Sequence, residues 1–279
     1  MANYLYLVGI DPGHGGADPG AVGFIKEAVA NLTTALACRK YLLANNVGVV
    51  MSRTINISTS ITSTCNKFNK KNVDLAVSIH KNAGGGDGFE AYHSIGGGKG
   101  KTLAKNIETE VKKLGQNSRG LKTRTNADGS DYYGFIRQTN MPAVILEGCF
   151  VDNKKDSKDF DEKKEQQELG YAYARGILKT LGVKDNGLTG KKQTVATGTA
   201  DEFKKSLAGT YKVTGDVNLR NDAGTTNKSL VVLPKGTKAV CYGYYSYPSG
   251  VKTKWYLVQA TVNKVKYTGF VSSKLLKKQ

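Results

Sequence analysis

No two cysteines of this chain lie close enough to form a Cys-x-x-Cys motif; the four, Cys38, Cys65, Cys149 and Cys241, are scattered along 279 residues. That spacing argues against a disulfide framework or a thiolate metal knuckle and leaves buried apolar packing as their expected use. No apolar run approaches the ~20 residues that a membrane-spanning helix needs, so no stable membrane insertion is expected. Proline, at 5 residues, is too rare for an extended low-complexity chain. The first residues lack a basic segment ahead of their apolar run, so no secretory signal peptide is evident. Histidine is scarcer still: only His14, His80 and His93 occur, which narrows any imidazole chemistry to three positions.

Acidic residues are also few, 23 against 41 Lys and Arg, for a formal net charge of +18. The excess is uneven. Residues 204–279 hold 14 basic residues against 2 acidic ones, whereas residues 1–203 hold 27 against 21. A surface of one sign raises the local concentration of polyanions, whether nucleic acid, anionic membrane or wall polymer, and charge alone does not choose among them.

The length predicts two domains. Residues 1–183 alternate strand-like runs (4–11, 47–53, 74–80, 88–93 and 143–150) with helix-like ones (27–45, 101–114 and 162–181). This order predicts an α/β domain, a mostly parallel twisted sheet with helices on both faces. Residues 184–203 are small and polar without apolar periodicity, the composition of a flexible linker. In 204–279, short β-rich runs divided by Gly, Asp and Pro predict a small all-β barrel.

Two histidines close strand-like runs. His14 stands in Asp11-Pro12-Gly13-His14-Gly15-Gly16, a tight turn after the first strand, and His80 ends Leu75-Ala76-Val77-Ser78-Ile79-His80. Ligands of open parallel sheets gather beyond the carboxyl ends of the strands, so both imidazoles are expected in one crevice. Glu27, opening a helix, and Glu147, ending the apolar run Ala143-Val144-Ile145-Leu146, are acidic candidates for the same place. Two histidines and one carboxylate suit a hydrolytic zinc site, and a second carboxylate then serves proton transfer. Each signal alone has a plain structural alternative; a glutamate at a helix start, for one, favours the positive end of the dipole. Glu147 is the most telling, because a carboxylate after four apolar residues is costly to desolvate without a compensating cation. His93 is expected to be a strand residue without a catalytic role.

The runs Asp11-Pro12-Gly13-His14-Gly15-Gly16, Glu27 with Asn31 one helical turn on, Ser78-Ile79-His80-Lys81-Asn82-Ala83 and Met141-Pro142-Ala143-Val144-Ile145-Leu146-Glu147 resemble, in order, the motifs of the zinc-dependent N-acetylmuramoyl-L-alanine amidases. The resemblance covers residues 3–182. It implies zinc (Zn2+) held by His14, Glu27 and His80, Glu147 as the catalytic carboxylate, and hydrolysis of the amide between the lactyl group of N-acetylmuramic acid and L-alanine. Lys81 stands where many members have a small residue and is expected at the groove rim. The loop from Leu121 to Arg137 is similar to the family's substrate-side loop, which makes Tyr132, Arg137 and Asn82 candidate contacts to the substrate, with Tyr133 beside them.

The C-terminal stretch resembles bacterial SH3-like wall-binding domains through Val217-Asn218-Leu219-Arg220, Leu233-Pro234-Lys235-Gly236-Thr237, Lys254-Trp255-Tyr256-Leu257-Val258 and Tyr267-Thr268-Gly269-Phe270-Val271. Trp255, Tyr256 and Tyr245 are the expected wall-facing aromatics. The implied partners are peptidoglycan and its anionic polymers.

Three other readings compete. Basic charge and aromatics also suit single-stranded nucleic acid, but that reading leaves His14, Glu27, His80 and Glu147 without a purpose, so no nucleic-acid partner is expected. A non-catalytic wall binder leaves the same four unexplained. A zinc peptidase of the stem peptide uses the same site, and only the resemblance selects the muramoyl amide. The missing signal peptide favours a phage endolysin of a Gram-positive host, held in the host cytoplasm until released to the wall. Oligomeric state is not legible.

Overall fold

Aliphatic and β-branched residues ahead of Pro12 and Gly13 form the first strand of the computed structural model, β1 (Leu7–Pro12), as strand preference and the missing proline donor dictate. The structure describes residues 6–188, 193–263 and 265–279. Tyr4 and Leu5 of the first expected strand, and 189–192 of the expected linker, lie outside the described residues. The chain divides into two compact units, Tyr6–Asn45 with Val49–Asp185, and Asn186–Gln279 with Asn46–Gly48.

After β1 come α1 (Glu27–Ala44), β2 (Gly48–Met51), α2 (Ile61–Lys71), β3 (Leu75–Asn82), β4 (Phe89–His93), α3 (Gly98–Lys112), β5 (Ser118–Lys122), α4 (Gly134–Arg137), β6 (Ala143–Phe150), α5 (Lys154–Lys158) and α6 (Lys163–Leu181). The helix ends follow local chemistry. Ser60 caps α2 by accepting from the Ser63 amide, and Glu162 with Glu165 forms a capping box at α6, which stops at left-handed Gly182.

The strands form one sheet in the order β2-β1-β3-β6-β4-β5. β1 with β3, β3 with β6 and β4 with β5 are parallel, whereas β4 runs antiparallel to β6. The sheet expected to be mostly parallel is therefore mixed. Residues 83–88, between β3 and β4, are too few for the crossover of a dozen or more residues that a parallel return requires.

Side-chain alternation assigns the two faces. Register links Gly9, Ala76 and Ala143 across β1, β3 and β6, and puts Asp11, Ser78, His80, Ile145 and Glu147 on that same side. A Cβ on Gly9 would press into Phe68 of α2. Gly148, of opposite parity, faces Leu169 and Tyr173 of α6. Helices thus cover both faces, and the apolar core, with Ile10, Val77, Leu146, Leu169 and Tyr173 buried, lies on the α6 side. All four cysteines are free and buried.

In the second unit, β7 (Gln193–Val195), β8 (Glu202–Phe203), β9 (Gly209–Val213), β10 (Val217–Arg220), β11 (Ser229–Leu233), β12 (Lys238–Ser246), β13 (Trp255–Val262), β14 (Val265–Ser272) and β15 (Leu276–Lys278) form a mostly antiparallel sheet. Its core is apolar, with Val213, Leu219, Leu233, Val258 and Val271 buried together. Part of the stretch read as linker is strand: β7 pairs β14 and β8 pairs β12.

Candidate metal and catalytic site

The Pro12-Gly13 turn leaves β1 beside the carboxyl end of β3, where the Gly13 amide donates to the Ile79 carbonyl at 2.9 Å. A Cβ on Gly13 would fall 2.1 Å from His80 Cε1, so only glycine lets the His80 ring lie over this turn. The next residue, His14, has φ 61°, a left-handed conformation uncommon outside glycine that marks a position set by its surroundings.

The turn brings the two histidines to one carboxylate. His80 Nδ1 lies 3.0 Å and His14 Nε2 3.2 Å from Glu27 Oε1. The carboxylate is fixed by the Lys81 amide and Asn31 Nδ2, which donate to Oε1, and by the Ala21 amide, which donates to Oε2 at 2.8 Å. On the other side of His14, Nδ1 lies 2.8 Å from Asp18 Oδ2, the kind of carboxylate support that orients metal-binding imidazoles.

One ligand atom from each of His14, Glu27 and His80 lies within 4.8 Å of the other two. Electrostatics agree with a cation there. Hydrogen bonding to Glu27 holds the His14 imidazolium, raising its pKa from 6.5 to about 9 against burial, with Asp18 assisting. Burial works most strongly against charge on His80, but Glu27, Glu147 and Asp11 together outweigh it and the shift is upward. For Glu27, burial is overcome by bonds from His14 and His80, and its pKa falls far below the usual range.

Glu147 of β6 is the register partner of His80 and lines a cavity of about 290 Å³ together with Asp11, His14, His80 and Tyr133. Its Oε2 is buried with no hydrogen-bond partner among the described residues. Burial pushes its pKa up, partly opposed by His80. The arrangement offers three donors suited to a divalent transition metal and, across the cavity, a carboxyl group able to carry a proton.

The other expected site residues are elsewhere. Asn82 donates to Glu90 Oε2 at 3.1 Å and accepts from the Ala83 amide. Arg137 spends Nη1 on the Asp131 and Tyr132 carbonyls of its own loop. Tyr132 is exposed, with the Arg124 guanidinium 3.7 Å over its ring; its neighbour Tyr133 lines the cavity. Lys81, expected at the groove rim, is buried at 3% exposure. Being odd-numbered on β3, it points to the α6 face, where Nζ would lie 3.0 Å from a Cβ on Gly148. His93 is buried in β4, as a strand residue. In the second unit Trp255 is only 6% exposed, which leaves little of its ring to a polymer. Tyr256 packs against the core, and Tyr245 is half-buried, with Lys254 Nζ 4.8 Å over its ring.

Three supporting groups are given no role in the sequence reading. Arg53, buried just after β2, donates to the carbonyls of Pro12, Gly13 and Ala28, and to Ile55. Asp11 accepts from Ser52 and Ser78. Glu90 is the register partner of Glu147. A charged residue inside an apolar run, as in Phe89-Glu90-Ala91, is the one available signal for the last.

This is a candidate metal site on an α/β fold, with His14, Glu27 and His80 as donors beyond the sheet and the Glu147 carboxyl group beside them. The comparisons give it a family: a model described as N-acetylmuramoyl-L-alanine amidase matches residues 8–179, and the chain belongs to that family and is an amidase of this kind. It is 35% identical over 211 residues to the N-acetylmuramoyl-L-alanine amidase CwlM of Bacillus licheniformis, covering 74% of this chain and 81% of the relative. It is 34% identical over 188 residues to an endolysin of Bacillus phage SPP1, covering 64% and 67% respectively. Among solved structures, the catalytic domain of the amidase CwlV of Bacillus (Paenibacillus) polymyxa superposes with a TM-score of 0.58 at 28% identity, covering 64% of this chain and 99% of that one.

Proposed function

We propose that this peptidoglycan amidase uses zinc held by His14, Glu27 and His80, with Glu147 as its general acid and base, to hydrolyse the bond between N-acetylmuramic acid and L-alanine. The convergence of two imidazoles on one carboxylate, facing Glu147 across a cavity, carries the reading. When bound, zinc supplies Lewis-acid polarisation of the substrate carbonyl and lowers the pKa of water. Asp18 holds the His14 imidazole through its other ring nitrogen, Nδ1. Glu147 takes the proton of the attacking water at a carboxylate oxygen and delivers it to the L-alanine nitrogen as the C–N bond breaks. Its raised pKa suits the second half of that task.

The second unit is read as an SH3-like anchor on peptidoglycan and its anionic polymers, supported by its antiparallel sheet and by the basic excess of residues 204–279. Tyr245, with Lys254 over its ring, is the outward-facing candidate of the three expected aromatics. Together with the phage relative, these features favour an endolysin role, with storage in the host cytoplasm before release to the wall.

Digestion of purified Gram-positive peptidoglycan by the wild type, by Glu147→Gln and by chelator-treated protein tests the proposal. New L-alanine amino termini from the wild type alone, with about one zinc per chain, are expected. Products carrying other new amino termini would make the enzyme a stem-peptide peptidase.

A further inference from the structure

One strand beyond Glu147, on the same face of the sheet, β4 carries Glu90. The two are direct cross-strand partners, so their Cβ atoms are about 5 Å apart. Glu90 is buried, at 2% exposure. Its Oε1 accepts from both Arg119 Nε and Lys122 Nζ at 2.5 Å. Its Oε2 accepts from Asn82 Nδ2 at 3.1 Å and from the Tyr92 hydroxyl at 3.4 Å.

Two cations meet one carboxylate here, so the cluster retains a positive charge. Part of its donor capacity is unspent: Nε is the only guanidinium group of Arg119 with a hydrogen-bond acceptor among the described residues, which leaves both Nη groups available. The guanidinium is held over the Phe150 ring, 5.3 Å from its centroid. The Arg119 and Lys122 side chains are 45% and 33% exposed, open to a ligand. A path joins them to the cavity: Tyr92, which touches Glu90, packs at 4.7 Å against Tyr133, and Tyr133 lines the cavity beside Glu147.

From these observations we infer that Arg119 and Lys122 form a subsite for a free carboxylate of the stem peptide, about three residues beyond the scissile amide; the inference rests on the amidase reading above. β5 lies two strands from β6, or about 9.6 Å at ~4.8 Å per strand. An extended peptide covers that in about three residues at ~3.3–3.6 Å each. A planar guanidinium with two free Nη groups matches a carboxylate in a paired geometry, and the ammonium beside it adds charge. A carboxamide brings no negative charge and loses most of that attraction. Glu90 is then the fixed base that holds both cations at the groove.

The test uses two synthetic muramoyl tripeptides, identical except that the third stem residue ends in either a free carboxylate or a carboxamide, with no other free carboxylate in the stem. For the full-length wild type, KM is expected to be about tenfold lower for the carboxylate substrate, equivalent to ~1.4 kcal/mol. In Lys122→Met and in Arg119→Gln, the ratio of the two KM values is expected to fall toward one. Equal KM values for the wild type would overturn the subsite alone, and this comparison needs no variant to fold. An unchanged ratio in both variants, or a KM that rises equally for both substrates as simple loss of support to Glu90 predicts, would also overturn it. If mass spectrometry finds neither substrate cut at the lactyl–alanine bond, the amidase reading fails with it.

Discussion

The His80 ring occupies space that any side chain at position 13 would claim. Gly13→Ala is therefore expected to push His80 off Glu27 while leaving the strands intact. Metal affinity should fall by about tenfold or more, the usual scale for disturbing the support of a ligand. Titration calorimetry with zinc, alongside an unchanged far-UV circular dichroism spectrum, checks this. Glu147 makes a different kind of prediction. Because burial raises its pKa in the folded chain, the folded state resists its ionisation, and stability is lost as pH rises above the usual carboxyl range. Glu147→Gln should abolish hydrolysis yet melt higher than the wild type at pH 8 in metal-free protein. The difference should vanish below about pH 4, where the unfolded carboxyl group is also protonated. A lower melting temperature for Glu147→Gln at pH 8 would contradict this account.

Much of the site is legible at this scale because each of His14, Glu27, His80 and Glu147 sits where a regular run begins or ends, and strand ends converge in an open sheet. Lys81 is buried rather than at the groove rim for a reason the same physics supplies. It is adjacent in sequence to His80, but one step along a strand turns a side chain to the opposite face. Glu90 and Arg53 were hidden because their partners come from elsewhere in the chain: Arg119 and Lys122 for the one, the Gly13 turn and the start of α1 for the other.

Among the elements, α1, α3 and α6 were readable from apolar residues at helical spacing, as was β6 from its unbroken apolar run. α2 was not, since its buried apolar side chains are only Cys65 and Phe68, in a segment otherwise rich in Thr, Asn and Lys. Nor was the reversal of β4, which depends on a short connection rather than on any residue pattern. The strands β7 and β8 arise from sequence that looks like linker because their pairing partners, β14 and β12, supply the regularity. At the end of α6, Gly182 has φ 69° and open space where a Cβ would stand. Gly182→Ala should consequently cost only conformational strain, about 1 kcal/mol, seen as a lower urea midpoint with kcat unchanged.

For the molecule as a whole, proton and metal compete for the same nitrogen. His14, with its pKa raised from 6.5 to about 9, is protonated at neutral pH in metal-free protein, so metal uptake releases a proton. The sign follows directly: a raised pKa stabilises the metal-free fold fully below pH 6.5, and that contribution fades as pH climbs through about 9. Metal affinity moves the other way, rising over the same window. Calorimetry in buffers of different ionisation enthalpy should detect the released proton at pH 7.5, and a pH-independent affinity between 6.5 and 9 would contradict the assignment. Metal at 100 times its Kd should stabilise the chain by about 2.7 kcal/mol, visible as a drop in melting temperature on chelation.

The sheet order also bears on how the enzyme comes into being. β6 is the last of the six strands in sequence, yet it stands between β3 and β4 and joins β2-β1-β3 to β4-β5. Without β6, β3 and β4 lack the strand that pairs with both of them, and the two halves of the sheet present unpaired edges. That same strand carries Glu147, so a chain truncated before Ala143 lacks both the strand that joins the sheet and the carboxyl group to which the proton transfer is assigned.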